Sequence, residues 1–524
     1  MSEFNWHLFR PKLNYPRIPY HGLLRRSAER FPDKWATVFH DQKLTFRELD
    51  GLSNALANGL EDMHLQKGDR VSLFMSNRPE YLVSFLATSK AGGVVTPINP
   101  VYREQEAEYQ INNSEARVLI VHAEQLPVIT AIRDRIPSVK QILVVGGEPA
   151  EGTQSWYDVV RRYPAERARE IDFDLEEDLI ALPYSSGTTG LPKGVMLSHR
   201  NLVSNNVQCT SASRMTENDV LLLFLPFYHI YGTMLMGAAV ASGATVVIME
   251  RFDMVAALTN MQKYRVTLFY AVPPVLLAMT QYADLKKYDF GSVRYVMSGA
   301  APLPAEIGRR LQELVGVQVL QGYGMTEASP LTHMAPVDNP ELIRIETVGF
   351  PISDEEQKIV SLDDETTEVA PGLTGELVLR GPHIMKGYWK APEETARALR
   401  DGWLYTGDIA QRDSHGYVSI VDRKKEMIKY KGFGVAPAEL EALLHEHPAV
   451  ADCAVVPKPD PEAGEIPRAF IVLRPGMHVS ANDIMRFVEE RVAGYKKIRA
   501  VEFIDAIPKN PSGKILRRLL KERP

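Results

Sequence analysis

The first 350 residues alternate short apolar runs with amphipathic segments. Thr45 and Glu48 have the spacing of a capping box, and leucines follow at helical spacing at Leu49, Leu52, Leu56 and Leu60. Strand-like runs include RVSLFM, GVVTPINP, LIALPYSS, VLLLFLP, TVVIM, VTLFYAV, VRYVMSG and VQVLQGYG. This alternation predicts largely parallel sheets that are covered by helices on both faces, with ligands beyond the carboxyl ends of the strands.

The pattern changes twice after residue 350. QKIVSL and GELVLRG are short runs bounded by Pro and Gly, which indicates a small β subdomain. Residues 422–524 then mix helical and strand-like runs in a compact α+β pattern with its own apolar positions. Because Asp422 to Lys425 are all charged, we expect an exposed hinge there. The predicted fold is α/β, with a large N-terminal domain (1–421) of helix-flanked, largely parallel sheets plus the β subdomain, and a small mobile α+β C-terminal domain (422–524).

The stretch from Val220 to Met249 contains no charged residue, which raises the question of a membrane span. Pro226, Gly232 and Gly243 are among the residues that break it into short pieces. It therefore predicts two buried strands with a short buried helix between them.

Composition excludes several classes of protein. Sixty Lys and Arg stand against 66 Asp and Glu, a net charge of −6 that argues against nucleic acid as the main partner. Only Cys209 and Cys453 are present, so we expect neither a disulfide framework nor a Cys/His metal site. With no evident signal peptide or targeting tail, these features predict a cytoplasmic protein without a transmembrane segment. Peripheral membrane contact and oligomerisation stay open.

A loop from Tyr184 to Gly194 carries two Ser, two Thr, three Gly and one Lys directly after an apolar strand. Glycines allow a close approach of the backbone to an anion, while N–H groups, hydroxyls and a lysine surround phosphate oxygens. The loop is not a P-loop, because Pro192 stands where the second glycine belongs and Lys193 precedes Gly194 rather than Ser or Thr. It predicts a phosphate loop of another kind, with a flexible linker as the alternative.

Five further motifs follow in order. They are Ser298-Gly299-Ala300-Ala301-Pro302, Gln321-Gly322-Tyr323-Gly324-Met325-Thr326-Glu327, Tyr405-Thr406-Gly407-Asp408, Asp422-Arg423 running into Lys429-Tyr430-Lys431-Gly432-Phe433-Gly434, and Pro511-Ser512-Gly513-Lys514. Together with the loop they resemble the AMP-forming adenylating superfamily, which includes acyl-CoA synthetases, 4-coumarate–CoA ligases, firefly luciferase and peptide-synthetase adenylation domains. The resemblance implies a two-step reaction, in which a carboxylate and ATP give an acyl-adenylate and a thiol then displaces AMP.

The resemblance also implies the ATP site. Mg²⁺ would be held by Glu327 and Thr188, beside Thr326, and the phosphates would be surrounded by Ser185, Ser186, Gly187, Thr188, Thr189 and Lys193. Asp408 and Arg423 would bind the ribose, because a carboxylate accepts from two hydroxyls. The adenine slot would consist of Gly299, Ala300, Ala301, Gln321, Gly322 and Tyr323. The structural alternatives are a helix-start carboxylate for Glu327 and a turn-stabilising one for Asp408.

Each half-reaction has its own predicted lysine. By resemblance, Lys514 bridges the carboxylate and the α-phosphate during adenylation, with a solvated lysine as the alternative. Rotation of the small domain about Asp422 would then bring in Lys425, Lys429, Gly432, Phe433 and Gly434 for coenzyme A. Many coumarate ligases carry Gln in place of Gly434, which leaves that contact uncertain.

His229 lies in an apolar run, where a core histidine is the usual interpretation. Its resemblance to an aromatic gate favours a role in lining the acyl pocket without proton transfer. The full pocket would comprise Tyr228, His229, Tyr231, Met234, Gly299, Ala300, Gly324, Met325, Ser329, Pro330 and Leu331, a mixture that suits an apolar acid.

The predicted function is an AMP-forming carboxylic acid–CoA ligase that uses ATP, Mg²⁺ and coenzyme A. Medium- or long-chain fatty acids are favoured, since general acyl activation is the commoner use of this plan. The alternatives are an aryl or 4-coumarate-type CoA ligase, a luciferase-like oxygenase, a carrier-protein-loading adenylation enzyme and a catalytically silent binding protein.

Overall fold

The computed structural model describes residues 10–167, 169–185, 191–431, 433–510 and 513–523, with only the backbone of Phe433. As far as residue 351 the strands are β1 (Trp35–Phe39), β2 (Gln42–Thr45), β3 (Arg70–Phe74), β4 (Val94–Pro97), β5 (Ala116–His122), β6 (Gln141–Val145), β7 (Gln154–Ser155), β8 (Leu179–Ala181), β9 (Tyr184–Ser185), β10 (Lys193–Ser198), β11 (Val220–Leu223), β12 (Thr245–Ile248), β13 (Leu268–Ala271), β14 (Tyr295–Ser298), β15 (Val319–Gly324), β16 (Leu331–Met334) and β17 (Phe350–Pro351).

The helices of the same region are α1 (Gly22–Arg30), α2 (Phe46–Asp62), α3 (Pro79–Lys90), α4 (Glu104–Ser114), α5 (Leu126–Ile132), α6 (Trp156–Arg162), α7 (His199–Ser213), α8 (Ile230–Ser242), α9 (Met254–Lys263), α10 (Pro273–Gln281) and α11 (Ala305–Val315). Beyond it come β18 (Glu356–Val360), β19 (Thr374–Arg380), β20 (Gly387–Tyr388), α12 (Pro392–Ala398), β21 (Leu399–Arg400), β22 (Trp403–Arg412), β23 (Val418–Arg423), β24 (Ile428–Tyr430), β25 (Phe433–Val435), α13 (Pro437–His445), β26 (Val450–Asp460), β27 (Gly464–Leu473), α14 (Ala481–Glu489), β28 (Ala500–Phe503) and α15 (Arg517–Lys521). Short 3-10 helices cover Arg133–Arg135, Leu285–Lys287, Thr326–Ala328, Pro340–Leu342 and Gly494–Lys496.

Within the described ranges, the strands form four sheets. The first has the order β17-β16-β15-β14-β13-β11-β12-β1-β2 and is parallel from β15 through β1. The second has the order β20-β10-β8-β4-β3-β5-β6-β7, with β9 beside β10, and is parallel from β8 through β7. The predicted α/β fold with largely parallel sheets is confirmed.

Helices cover both faces of the second sheet. One core contains Val71 and Leu73 of β3 together with apolar residues of α2, α3, α8 and the first sheet, so it joins the two sheets. A separate core on the opposite face contains Phe74 and Leu119 with side chains of α4 and α5. This alternation of buried residues along β3 explains why the strand reads as a continuous apolar run.

Local signals in the sequence correspond to the observed ends of helices. Thr45 and Glu48 form both bonds of a capping box at the start of α2. Gly243 ends α8 with φ of +78°, a conformation that glycine adopts without strain. The uncharged stretch from Val220 to Met249 is β11, α8 and β12, as predicted. No helix in the described part of the chain has the length and apolarity needed to cross a membrane.

The region after residue 350 also follows the prediction. Strands β18, β19, β21, β22 and β23 form a small antiparallel sheet with its own core. The C-terminal unit has a sheet of β25-β24-β27-β26, with β28 beside β27, and a core shared with α13 and α14.

The predicted exposure of Asp422 was wrong, while the hinge itself stays a prediction. Asp422 is 6% exposed and lies in β23, where it is paired with Ile409 of β22. Lys424 is also held, by ion pairs to Glu365 and Glu376 of the β subdomain. A run of charged residues resembles a solvated linker, but Asp422, Arg423 and Lys424 have long-range partners that the local sequence does not reveal. The domain boundary at residue 422 stays a prediction.

Candidate active site

A cavity of about 930 Å³ opens between the first two sheets, the β subdomain and the C-terminal unit. Its lining contains many of the predicted ATP and catalytic residues: Ser185, Lys193, His229, Gly299, Ala300, Gly322, Tyr323, Thr326, Glu327, Arg423, Lys425 and Lys514. It also contains most of the predicted acyl pocket: Tyr228, Tyr231, Met234, Gly324, Met325, Pro330 and Leu331. Ser186, Gly187, Thr188, Thr189, Gly432 and the side chain of Phe433 lie outside the described residues.

Glu327 lies in the 3-10 helix Thr326–Ala328 and is 8% exposed. The Ser185 hydroxyl donates to its Oε1 at 3.2 Å, and the Tyr388 hydroxyl donates to the same oxygen at 2.9 Å. Burial, with the nearby Glu327 carboxylate, raises the pKa of Tyr388, so this hydroxyl keeps its proton. Tyr388 was not predicted, because only the pairing of β20 with β10 brings it to the site.

The surroundings of Glu327 fit a magnesium ion that arrives with a nucleotide. Where the chain is described, no group of three or more His, Cys, Asp or Glu side chains is arranged to hold a metal by itself. Mg²⁺ is commonly bound by one or two carboxylates together with substrate phosphates. Both donors among the described residues use Oε1, so Oε2 of Glu327 would be the oxygen that binds such an ion.

Asp408 lies in β22, where the predicted tight turn is replaced by a strand in which Gly407 has φ of +72°, and it contacts two other predicted residues. Its Oδ2 accepts from the Tyr323 hydroxyl at 2.5 Å, and its Oδ1 lies 3.1 Å from Nε of Arg423. The register of β22 and β23 places Asp408 opposite Arg423. Burial raises the pKa of Asp408, while Arg423 and Tyr323 oppose this shift. Each carboxylate oxygen has a second lone pair, so Asp408 still has acceptor capacity for a diol.

The side chain of Gln321 does not lie in the cavity, although it was predicted to form part of the adenine slot. Its Oε1 accepts from the backbone N–H of Leu303 at 2.8 Å, and its Nε2 donates to the carbonyl of Ile345 at 2.6 Å. The side chain therefore braces two backbone segments behind the cavity. Neither Gln321 nor Ala301 lines the cavity, although Ala300 and Gly322 do.

His229 lines the cavity together with its chain neighbours Tyr228 and Tyr231. It is the N-cap of α8, and its Nδ1 accepts from the backbone N–H of Tyr231 at 3.3 Å. Burial, assisted by the charge of Lys514, lowers the pKa of His229 to about 4. The imidazole is therefore neutral near pH 7, in agreement with a lining role.

Gly299 leaves room for the ring of Tyr231. A Cβ at Gly299 would lie 3.0 Å from Cε1 and 3.1 Å from the hydroxyl oxygen of Tyr231. A side chain at this position would therefore require the Tyr231 ring to shift.

Ser213 and Tyr270 also line the cavity, next to the predicted Tyr231, and neither was predicted from the sequence. The Tyr270 hydroxyl donates to Ser213 Oγ at 3.0 Å, and the Tyr295 hydroxyl donates to the Ser213 carbonyl at 3.0 Å. The Tyr231 hydroxyl is buried without a hydrogen-bond partner among the described residues. Cys209, Met297 and Met334 line the cavity as well. These residues come from different elements and form no motif, so only the folded chain reveals the group.

Lys514 enters the cavity on a tight hairpin of the C-terminal unit. Asn510 Oδ1 accepts from the backbone N–H of Lys514 at 2.8 Å, and Gly513 has φ of +81°. A Cβ at Gly513 would lie 2.8 Å from Pro274, so the hairpin packs closely on the large domain. Burial lowers the pKa of Lys514, with Arg423 adding to the effect.

The predicted coenzyme A loop lies elsewhere. Lys429 is exposed in β24, where its backbone N–H donates to Glu465, and Gly434 pairs with it from β25. Neither residue lines the cavity. The structure thus brings the Lys514 hairpin to the site and leaves the Lys429 strand outside it.

The comparisons agree with this geometry. The model of the AMP-binding enzyme family matches residues 24–389, and that of the AMP-binding enzyme C-terminal domain matches residues 439–514. The chain belongs to the AMP-binding enzyme family. The predicted AMP-forming adenylating superfamily is therefore confirmed.

Members of this family resemble the chain over nearly its whole length. A 4-coumarate–CoA ligase of Pinus taeda is 40% identical over 533 residues, which cover 99% of this chain and 98% of the relative. A long-chain-fatty-acid–CoA ligase of Bacillus subtilis (strain 168) is 34% identical, with 98% and 95% covered. The solved structure of the anthranilate CoA ligase AuaEII in complex with anthranoyl-AMP is 31% identical with a TM-score of 0.89, covering 97% of this chain and 96% of that one. The coarser functional prediction, an AMP-forming acid–CoA ligase, is confirmed.

Proposed function

We propose that this ligase activates an aromatic acid whose ring carries a distal hydrogen-bonding group, of the hydroxycinnamate (4-coumarate) type. The observation that carries the proposal is the unpartnered Tyr231 hydroxyl, buried in the acyl cavity next to the Ser213–Tyr270 pair. Leaving a buried polar group unpaired costs about 1–3 kcal/mol. An aliphatic chain would leave Tyr231 in that state, whereas a ring hydroxyl would pair with it.

The roles proposed for the ATP half follow from the same geometry. Asp408 and Arg423 would orient the ribose, Lys193 and Ser185 would contact phosphate oxygens, and Lys514 would bridge the carboxylate and the α-phosphate. Positioning and charge stabilisation of this kind account for most of the lowering of the activation barrier in phosphoryl transfer. Glu327, with Thr188 by resemblance, would hold the magnesium ion, whose charge neutralises the phosphates.

The proposed role of His229 is to close the acyl side of the site as a neutral wall beside the reacting carboxylate. Because its imidazole is uncharged near pH 7, it would not compete with Lys514 for the anionic carboxylate. Coenzyme A would accept the acyl group in the second step, after the Lys429 strand has replaced the Lys514 hairpin.

Fatty acids are the second candidate. The Bacillus subtilis relative is named for long-chain fatty acids, and Met234, Met297 and Met334 line the cavity with flexible apolar side chains. This candidate agrees with the expectation from the sequence. It differs from the first in a measurable property, because a fatty-acid site would gain no kcat/KM from a distal hydroxyl group on the substrate.

The test is AMP release and thioester formation with free coenzyme A, Mg²⁺ and ATP for 4-coumarate, cinnamate, octanoate and palmitate. We expect kcat/KM for 4-coumarate to exceed that for cinnamate about ten- to hundredfold, the equivalent of one well-placed buried hydrogen bond. Tyr231→Phe should reduce the value for 4-coumarate to that for cinnamate and change the value for cinnamate less than about threefold.

Tyr157→Phe is the matched control, because the Tyr157 hydroxyl donates to Glu80 and neither residue lines the cavity. It should leave the ratio of the two acids unchanged. If octanoate or palmitate reacts faster than both aromatic acids, and Tyr231→Phe improves that rate, the aromatic proposal is overturned in favour of fatty acids.

A further inference from the structure

A buried carboxyl group behind the nucleotide half of the cavity belongs to none of the motifs. The side chain of Glu355 is 0% exposed, and so are the side chains of His333 and His383. Nε2 of His383 lies 2.9 Å from Glu355 Oε2, and Nδ1 of His333 lies 3.8 Å from Glu355 Oε1. Burial raises the pKa of Glu355, a shift that the nearby charge of Arg10 opposes, and burial lowers the pKa of both histidines.

One side of this cluster is tied to the turn that carries Glu327. The Ser329 hydroxyl donates to the carbonyl of His383 at 2.7 Å, and the N–H of Met385 donates to the carbonyl of Glu327 at 2.9 Å. Ser329 itself has φ of +73°, which a β-carbon-bearing residue rarely adopts. The segment from His383 to Met385 therefore holds both ends of the Glu327–Ser329 turn, and Glu355 fixes the ring of His383.

The other side is tied to Tyr323. His333 is opposite Tyr323 in the pairing of β15 and β16, and the two rings meet edge to face with centroids 5.8 Å apart. Thr332 Oγ1 lies 3.1 Å from the Tyr323 carbonyl oxygen and 2.9 Å from Nδ1 of His333, so it lies between the strand backbone and the ring. Nε2 of His333 lies 2.7 Å from the Gln357 amide oxygen, so both ring nitrogens are engaged.

A cluster of this kind is costly in a protein core. Buried polar groups destabilise unless they are well paired, and apolar residues of equal volume often serve stability better. Among the described residues, Glu355 Oε1 has no hydrogen-bond partner, although His333 lies nearby. What the cluster does supply is a fixed orientation of the two backbone segments that it connects.

We propose that Glu355 is a positioning residue for the ATP half of the site. It acts through its contact with His383 on the Glu327–Ser329 turn. The inference rests on the AMP-forming activity of the family and does not depend on which acid is activated.

The test compares Glu355→Met, which has a similar length but removes the hydrogen bond to His383, with Glu355→Gln, which can still hydrogen-bond to His383. Binding of Mg²⁺·ATP is measured by calorimetry without any acid, and thioester formation is measured from supplied acyl-adenylate. We expect Glu355→Met to raise the Kd for Mg²⁺·ATP about fivefold or more, with the thioester step changed less than about twofold. Glu355→Gln should restore the Kd to within about twofold of the natural protein.

Glu356→Gln is the matched control, since the Glu356 carboxylate follows Glu355 in the chain but is exposed and paired with Arg380. It should change neither quantity. If Glu355→Met does not fold, Ser329→Ala is tested instead. It removes the hydrogen bond from the Ser329 hydroxyl to the His383 carbonyl, which belongs to the same connection between Glu355 and the turn. We expect the same selective increase in the Kd for Mg²⁺·ATP. A lowered unfolding temperature with an unchanged Kd, or equal losses in nucleotide binding and the thioester step, would overturn the proposal. Because the calorimetry contains no acid, it is unaffected by failure of the aromatic assignment.

Discussion

Asp422 Oδ2 accepts a hydrogen bond from the backbone N–H of Ala438 at 2.9 Å. Ala438 lies in the first turn of α13, so the last strand of the β subdomain is bonded directly to the first helix of the C-terminal unit. Burial raises the pKa of Asp422 to about 6. The residue proposed as the pivot is thus buried, bonded across the junction and titratable within the range of ordinary assays.

This pKa predicts a pH-dependent stability. The folded pKa lies above the value of an exposed aspartate, so the protonated carboxyl stabilises the fold at low pH and the contribution is lost as the pH rises through about 6. Between pH 5 and pH 7 this loss amounts to about 1 kcal/mol. Asp422→Asn cannot ionise, so its free energy of unfolding relative to the natural protein should rise by that amount over the interval, as measured by urea unfolding at both pH values.

Asp363→Asn, at an exposed position, is the control and should show a constant difference at the two pH values. A constant difference for Asp422→Asn as well would contradict the assignment of a raised pKa to this carboxyl group.

Tyr388→Phe tests the support of Glu327. Its hydroxyl is one of two donors to Glu327 Oε1, and a hydrogen bond to a charged group contributes about 1.5–3 kcal/mol. We expect KM for Mg²⁺·ATP to rise about tenfold while KM for the acid changes less than about twofold, in initial-rate assays that vary each substrate in turn.

Tyr417→Phe removes a hydroxyl that donates to the carbonyl of Leu342, outside the cavity lining. It should leave both KM values unchanged. Equal increases in both constants for Tyr388→Phe would mean that the hydroxyl supports the fold of the whole site rather than the metal carboxylate.

Much of the fold follows from local signals in the sequence. The capping box at Thr45, the continuous apolar run of β3 and the glycine that ends α8 each act within a few residues, and each prediction agrees with the structure. The motif residues Asp408 and Arg423 meet because two neighbouring antiparallel strands place them opposite each other. Pairing between strands that are neighbours in the sequence can be expected once the strands themselves are predicted.

The remaining features depend on contacts between distant segments. Tyr388 reaches Glu327 across 61 positions, and Tyr270 reaches Ser213 across 57. Asp422 looks solvated in the sequence, yet its partner Ala438 and the strand β22 bury it. No periodicity or motif encodes such pairs, so the sequence alone predicted an exposed hinge and did not predict Ser213 and Tyr270 beside Tyr231 in the acyl cavity.

Lys514 and Lys429 predict opposite effects on the two half-reactions. Lys514 lines the cavity, whereas Lys429 is exposed outside it on a strand that would have to move to reach the adenylate. Lys514→Ala should lower ATP–pyrophosphate exchange about 100- to 1000-fold, the usual loss for one charge-stabilising donor, and spare thioester formation from supplied acyl-adenylate. Lys429→Ala should do the reverse, slowing the thioester step while exchange stays within about twofold, since an exposed residue outside the cavity contributes little to the adenylation geometry.

Lys521→Ala is the control for Lys514, because Lys521 is exposed and lies seven positions further along the chain. Lys458→Ala is the control for Lys429, because Lys458 is exposed on β26 of the same sheet. Neither substitution should change either half-reaction. The reciprocal result requires two arrangements of the C-terminal unit, because a single arrangement places only one of the two lysines in the cavity. Equal losses in both half-reactions for either lysine would therefore argue against alternation and for one fixed site.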